Sequence, residues 1–153
     1  LKLSKLLRYL LQEAQNETVS INKEIEHLRQ YIDLQKLRLT KKVTVNFEMA
    51  FDSSGLSIAP LLLLPFVENA FKYGVSAHDA SKIDIKLSFK SSVFEFIVNN
   101  TLNSGASVDI ESTGIGVENV RKRLELSYPG NFELNIKSNT VSHSVYLKIT
   151  GLC

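Results

Sequence analysis

The most informative part of the sequence is Pro60-Leu61-Leu62-Leu63-Leu64-Pro65-Phe66-Val67-Glu68-Asn69-Ala70-Phe71-Lys72-Tyr73-Gly74. The run from Ile58 to Tyr73 is long enough for a helix, with Pro60 in its first turn and Gly74 as its C-cap. At about 100° per residue, one face of this helix is apolar and should pack on a sheet. That face carries Leu63, Leu64, Val67, Ala70 and Phe71, and the opposite face carries Glu68, Asn69, Lys72 and Tyr73.

The polar face of this helix allows two interpretations. In the simpler one it is solvated, and Glu68 and Lys72 form an i,i+4 pair worth a few tenths of a kcal/mol. However, Asn69 is a poor helix former in the middle of a strongly apolar helix. A carboxylate, an amide and an ammonium group also supply oxygen ligands for Mg²⁺ and positive charge for phosphate. The pattern therefore suggests a site for a magnesium-bound nucleotide.

A second candidate segment is Gly114-Ile115-Gly116, which directly precedes a predicted helix from Val117 to Ser127. Glycines let the backbone approach a ligand closely, and the free N–H groups of a first helical turn attract phosphate. The alternative is an ordinary glycine turn before an amphipathic helix. The sequence contains neither a Rossmann glycine pattern nor a Walker A loop, so a nucleotide site here requires a different fold.

The rest of the chain alternates between helical and extended patterns. A leucine stripe predicts a first helix, and a second should run from Ile21 to Leu39 with Ser20 as its N-cap. The stripe consists of Leu3, Leu6, Leu7, Leu10 and Leu11. Period-two patterns predict strands at Val43–Met49, Ile83–Phe89, Val93–Val98, Phe132–Lys137 and Val141–Ile149. A turn is predicted at Asp52–Gly55 and a mobile loop between Asn99 and Thr113.

The order of these elements includes few βαβ units, so a doubly wound parallel sheet is not expected. We predict an α/β (α+β) fold: a two-layer α/β sandwich in which a mixed sheet carries helices on one face. At 153 residues the chain should form one core. Because the net charge is only +2 and the charges alternate along the chain, nucleic acid is not an expected partner.

Several features bear on cellular location. The longest apolar run, Ile58 to Val67, is too short to cross a bilayer. A lone Cys153 excludes an internal disulfide and a thiolate metal site, which favours the cytoplasm. The chain has no start methionine and opens as if in the middle of a helix, at Leu1–Leu7, so we expect it to be part of a longer protein.

Both candidate segments resemble those of a known family. Pro60–Gly74 closely resembles the N-box of LytS-like sensor histidine kinases, and Gly114–Leu124 resembles their second glycine box. Leu6–Tyr9 and Glu24–Arg38 are similar to the helix and linker that precede that domain. The resemblance implies the Bergerat (GHKL) ATP-binding fold, with a helical segment at residues 1–39 and an ATP-binding catalytic domain at residues 40–153.

The resemblance also implies roles for the residues of the first box. Asn69 would ligate the Mg²⁺ that bridges the phosphates of ATP, and Glu68 beside it would act as a base or polarise the reacting group. Lys72 would contact phosphate, and Tyr73 would lie against the nucleotide. Transfer would then depend on positioning and charge neutralisation.

In the second box, Gly114 and Gly116 would form the hinge of a lid made by Leu102 to Thr113, and they would present backbone amides to phosphate. Arg121 would add positive charge at the rim of the site.

Three positions depart from the family pattern. Asn100 stands where an aspartate usually reads the adenine amino group; its amide oxygen can still accept that hydrogen bond, but without charge, so adenine affinity should be lower. Ser142-His143 replaces a glycine-threonine motif. The sequence has no Asn-Pro-His-Phe segment to supply the phosphoacceptor, and His27 is a weak substitute, so the isolated chain should bind ATP without autophosphorylating.

The leading hypothesis is therefore a histidine kinase catalytic domain that donates the γ-phosphoryl group of ATP to an upstream histidine. One alternative is a degenerate module of the same fold that binds nucleotide or a partner without kinase activity. Another is an ATPase switch like those of gyrase and mismatch repair. The expected partners are the protein's own dimerisation and phosphoacceptor domain and a response regulator, within a homodimeric parent anchored in the bacterial inner membrane. The leucine stripe should favour self-association.

Overall fold

The computed structural model describes residues 16–51, 55–76, 78–102 and 110–152, and the predicted leucine-rich helix lies outside these ranges. Within them the helices are α1 (Ile21–Lys36), α2 (Leu64–Gly74) and α3 (Ile110–Ser127). The strands are β1 (Val19–Ser20), β2 (Val43–Ala50), β3 (Ser57–Ile58), β4 (Ser81–Lys90), β5 (Val93–Thr101), β6 (Phe132–Ser138) and β7 (Ser142–Thr150). None of the described helices combines the length and the apolar character needed to span a membrane.

Five of these strands form one mixed sheet in the order β2-β4-β5-β7-β6. β2 runs parallel to β4, and the other neighbouring pairs are antiparallel. β4 and β5, which contain the predicted strands Ile83–Phe89 and Val93–Val98, form a hairpin, and its two turn residues, Ser91 and Ser92, have φ of 52° and 61°. Positive φ at both central positions matches the right-handed twist of the flanking strands. The predicted mixed sheet is confirmed.

Among the described residues, the helices cover one face of this sheet and leave the other face open. Alternate side chains of the central strands are buried, as period-two patterning requires: Ile83, Ile85, Leu87, Phe94, Phe96, Val98, Val145, Leu147 and Ile149. α2 packs across β4, β5 and β7, and α3 packs on α2 and β6. The opposite face carries polar side chains such as Asp84 and Glu95. The predicted two-layer arrangement is therefore confirmed.

A small second sheet joins the start of α1 to the segment before α2. β1 and β3 pair antiparallel, with Val19 opposite Ile58. These strands were not predicted, because two residues are too few to show a period. α1 then packs against α2 within the same hydrophobic core. The division of the chain between residues 39 and 40 remains a prediction.

The predicted start of one helix, and the predicted cap and end of another, need correction. α2 begins at Leu64, not at Ile58, because Ile58 belongs to β3 and Leu61 adopts a φ of 60° that a right-handed helix excludes. Pro65, not Pro60, occupies its first turn. α1 follows Ser20 as predicted, but the Ser20 side chain makes no capping hydrogen bond, and the helix ends at Lys36.

Two predictions about glycines were also wrong. Gly74 is the last residue of α2 and not its C-cap; the C-cap is Val75, in extended conformation at φ −103° and ψ 127°. α3 begins at Ile110, seven residues before the predicted Val117, so Gly114 and Gly116 lie within the helix. Glycine costs about 1 kcal/mol in a helix but does not prevent one. Of the predicted loop and lid, residues 103–109 lie outside the described ranges.

Candidate functional site

The helix α2 has the two faces that the sequence predicts. Its buried face carries Leu64, Phe66, Val67, Ala70, Phe71 and Gly74. On the other side Glu68 and Lys72 are exposed, and Asn69 and Tyr73 are half-buried. The Lys72 ammonium lies 4.9 Å from the centre of the Tyr73 ring, within the range of a cation–π interaction. The polar face thus places a carboxylate, an amide and a cation within little more than one turn of a firmly packed helix.

Helix α1 contributes to the environment of Glu68. Burial raises the pKa of Glu68 above its ordinary value, although part of the side chain is exposed. Burial and then the charge of Glu68 raise the pKa of Tyr31 to about 12. The Tyr31 ring packs edge-on against Phe71, with 5.8 Å between ring centres. The phenol of Tyr31 on α1 therefore lies within electrostatic range of Glu68 on α2, and burial increases the proton affinity of that carboxylate.

Asn100 lies at the end of β5, beside the last residue of α2. It is 3% exposed, and its Nδ2 donates to the carbonyl of Thr101 at 2.9 Å. Its Oδ1 is buried and has no hydrogen-bond partner within the part of the chain that the structure describes. A buried acceptor without a partner is costly, so this oxygen is a candidate ligand contact.

Gly74 is what allows Asn100 to approach α2. A Cβ added to Gly74 would lie 2.8 Å from Asn100 Cβ and 2.9 Å from Nδ2. These distances are below ordinary van der Waals contact, so a side chain at position 74 would force either Asn100 or the end of α2 to shift. Gly74 was predicted to end the helix as its C-cap, where glycine's backbone freedom would matter. In the structure it is the lack of a side chain that matters, because it makes room for Asn100.

His143 is the cross-strand partner of Asn100 in the register of β5 and β7. Burial lowers the pKa of His143, and its Nδ1 lies 3.3 Å from the Ser138 hydroxyl oxygen. A largely neutral imidazole therefore stands opposite Asn100, at the position where the family pattern would place a threonine.

The second box contributes less well-defined geometry. Gly116 is half-buried in α3, and a Cβ added there would meet no atom within 4 Å. Arg121 is exposed on the same helix, whereas Val120 and Leu124 are buried and fix its packing. Gly114 also lies in α3, within its first turns. The phosphate-binding roles of these residues remain predictions.

An open cavity of about 590 Å³ separates α3 from the segment before α2. It is lined by Asn16, Glu17, Ala59, Pro60, Leu61, Pro65, Gly116, Asn119, Val120, Lys122, Arg123, Leu126 and Ser127. It reaches Gly116 but not Asn69, Lys72 or Asn100. The roles expected of Asn69 and of Gly114–Gly116 require a pocket that joins them, and this cavity does not reach Asn69.

Neither the described residues nor the sequence suggests a metal site built by the protein alone. Within the described ranges no group of three or more His, Cys, Asp or Glu side chains could hold a metal ion. The half-buried amide of Asn69 is the candidate Mg²⁺ ligand carried over from the sequence. Mg²⁺ in nucleotide sites is bound largely by substrate phosphates, so one protein ligand is chemically sufficient.

Sequence comparison places this chain near sensor kinases. Residues 1–43 match a family described as "Histidine kinase". Over 86 residues, 56% of the chain, it is 30% identical to the sensor protein kinase HptS of Staphylococcus aureus strain USA300. The chain spans 16% of the length of that protein.

Structural comparison shows that the fold is that of histidine kinase catalytic domains. The catalytic domain of histidine kinase ThkA matches with a TM-score of 0.63 and 14% identity, over 87% of this chain and 93% of that one. The histidine kinase domain of the blue-light activated kinase EL346 of Erythrobacter litoralis matches with a TM-score of 0.64 and 16% identity, over 97% and 77%. The predicted fold and the resemblance to sensor histidine kinases are confirmed.

Proposed function

Because this chain resembles sensor histidine kinases and has the fold of their catalytic domains, we propose that it binds ATP with Mg²⁺ and donates the γ-phosphoryl group to a histidine upstream of residue 1. The proposal rests on Asn100, whose side chain packs against Gly74 at the end of the helix that carries Glu68 and Asn69, and whose buried Oδ1 has no hydrogen-bond partner among the described residues.

The oxygen of Asn100 suits the adenine base. The exocyclic amino group of adenine is a donor, and Asn100 Oδ1 is an acceptor that lacks a partner within the described residues. The hydrogen bond from Nδ2 to the Thr101 carbonyl fixes which way the amide points. Guanine presents a carbonyl oxygen at the equivalent position, so the same oxygen would reject it. Asn100 would therefore contribute both to adenine binding and to base selection.

The polar face of α2 suits the phosphates. Asn69 and Gly74 are five positions apart, which is about 7.5 Å along the helix, so base and phosphates would lie along one helix. Asn69 would hold Mg²⁺, which supplies charge neutralisation to the phosphates when bound. Lys72 would add positive charge near the phosphates. Tyr73 would pack on the nucleotide, between its base and its phosphates.

Transfer requires an incoming imidazole nitrogen to attack the γ-phosphorus while the bond to the β–γ bridging oxygen breaks and ADP leaves. Glu68 would accept the proton that the imidazole loses, and its raised pKa makes it a better acceptor than an ordinary glutamate. Orientation and charge provide the remaining acceleration.

On α3, the open space around Gly116 would allow the phosphates to approach the helix. Gly114, two residues earlier on the same helix, would present its backbone amide to phosphate. Arg121 is exposed and would contribute positive charge at the rim. These glycines would also let the helix start unwind as a lid, since each weakens the helix by about 1 kcal/mol.

In the longer protein that we propose, the partners would be its own dimerisation and phosphoacceptor domain and a response regulator. The protein would be a homodimer, with this domain in the cytoplasm and the parent anchored in the inner membrane. The alternative, a degenerate module without kinase activity, is favoured by the uncharged Asn100 and by the separation of Asn69 from the 590 Å³ cavity.

Radiolabel transfer separates these two functions. The chain joined to its own upstream segment should become labelled from γ-labelled ATP, whereas the isolated 153 residues should not. Asn69→Ala should abolish labelling, and Asn135→Ala, an exposed asparagine on β6, should not affect it. Lack of labelling in the extended protein, with ATP binding retained, would favour the degenerate module.

A further inference from the structure

The segment Ala59–Leu61, here called the strap, joins β3 to the residues that lead into α2. Its last residue, Leu61, has a φ of 60°. Leucine rarely adopts this left-handed conformation, which persists only where surrounding contacts enforce it. The strap ends three residues before Leu64, the first residue of α2. Whatever holds the strap therefore also fixes where α2 begins.

Helix α1 holds the strap from one side. The backbone N–H of Leu61 donates to Glu24 Oε1 at 2.6 Å. Glu24 is only 2% exposed and lies on the buried stripe of α1, between Ile21 and Ile25. A buried carboxylate is costly unless it is well paired, so its position on an otherwise apolar stripe indicates a specific use.

Helix α3 and the residue after it hold the strap from the other side. The backbone N–H of Ala59 donates to the Tyr128 hydroxyl oxygen at 2.7 Å, and the Arg123 guanidinium donates to the Pro60 carbonyl. Each residue of the strap is thus bonded through its backbone to one side chain. Burial, and to a smaller extent the charge of Glu24, raise the pKa of Tyr128, so the two sides of the strap also interact.

We propose that Glu24, Arg123 and Tyr128, here called the clamp, are positioning residues that couple α1 to α2 and α3. A displacement of α1 moves the acceptor of the Leu61 N–H, and the strap passes that movement to the start of α2 and to α3. The part of this proposal that concerns nucleotide binding rests on the proposed function, because it assumes that Glu68 and Asn69 act from α2. The coupling itself does not depend on ATP.

Amide hydrogen exchange of the whole chain tests the coupling directly. Glu24→Leu removes the acceptor and should speed exchange by about tenfold or more in the strap, in the first turn of α2 and in α3 around Arg123. Glu24→Gln keeps an acceptor oxygen and should stay close to wild type. The matched control is Glu26→Leu, an exposed carboxylate on α1 that accepts a hydrogen bond from Gln30.

The other side of the strap gives an independent comparison. Tyr128→Phe should speed exchange in the strap and in α1 around Glu24. Tyr146→Phe removes a hydroxyl that donates to Glu95 on the uncovered face of the sheet, and it should leave both regions unchanged. Faster exchange confined to the mutated element in both clamp variants would overturn the proposed coupling.

Affinity for a non-hydrolysable ATP analogue, measured well below each variant's unfolding transition, tests positioning. Glu24→Leu should weaken Mg²⁺-dependent binding by about tenfold, and Glu24→Gln should restore it. Unchanged affinity in Glu24→Leu, in a protein whose Asn69→Ala variant loses affinity, would show that the clamp is merely structural. A wild type that binds no analogue would overturn the proposed function, and hydrogen exchange would still decide the coupling.

Discussion

Replacing Gly74 by alanine tests the closest contact of the candidate site. The new Cβ would lie 2.8 Å from Asn100 Cβ, 2.9 Å from Nδ2 and 3.1 Å from Cγ. Because the nearest atom is the Cβ of a residue in a central strand, the clash cannot be relieved by a side-chain rotation. Either the end of α2 or the end of β5 must shift.

The size of the effect follows from two opposing contributions. Overpacking of a tightly packed site costs about 1–3 kcal/mol. Alanine in place of glycine within a helix returns about 0.5–1 kcal/mol. We therefore expect Gly74→Ala to lower the free energy of unfolding by about 0.5–2 kcal/mol, or roughly 1–8 °C in Tm for a chain of this size.

Gly116→Ala is the matched comparison, since a Cβ added there meets nothing within 4 Å. Only the helical preference of alanine over glycine then acts, so the free energy of unfolding of this variant should rise by about 0.5–1 kcal/mol. Urea unfolding measures the change in stability of both variants, provided that the m-value is unchanged. If Gly74→Ala were as stable as Gly116→Ala, the close contact between Gly74 and Asn100 would be refuted, and with it the argument that position 74 shapes an adenine site.

Further predictions concern single side chains. Glu68→Gln should abolish phosphoryl transfer and should keep or raise Tm at neutral pH. Because the pKa of Glu68 is raised, the folded state retains a proton that the unfolded state has lost. The stability of the wild type therefore falls as pH rises through the window between the ordinary and the raised pKa. Asn100→Asp should strengthen ATP binding several-fold through a charge-assisted hydrogen bond, but it should lower the stability of the free chain; weaker ATP binding would argue against an adenine contact. Tyr146→Phe should reduce the loss of stability between pH 10 and 12, because the hydrogen bond to Glu95 raises the pKa of Tyr146 to about 12; an unchanged alkaline profile would contradict this.

The sequence was sufficient for the sheet and for the two faces of α2, because both depend on regular patterns. The alternation of apolar and polar residues identified the five strands of the main sheet. Helical spacing identified the buried and polar sides of α2. The helix preferences of individual residues were a less reliable guide to where the helices begin and end. Pro60 and the apolar residues around it suit a helix, yet pairing of β3 with β1 and the clamp on the strap impose another conformation.

The contacts between distant segments could not be predicted. Nothing in the local pattern reveals that Gly74 meets Asn100, or that Tyr31 lies beside Glu68, since each pair joins different elements. One signal was available for the clamp: Glu24 interrupts the apolar stripe of α1 at a position that should be buried. A charged residue there predicts a specific partner, although the sequence does not show which one.

Titration with a non-hydrolysable ATP analogue, with and without Mg²⁺, tests the central claim most directly. Calorimetry of the wild-type chain should show binding that Mg²⁺ strengthens, and Asn69→Ala should lose that strengthening while Asn135→Ala keeps it. Equal, negligible affinity of the wild type and Asn69→Ala for the analogue would contradict the assignment of α2 as a nucleotide-binding helix.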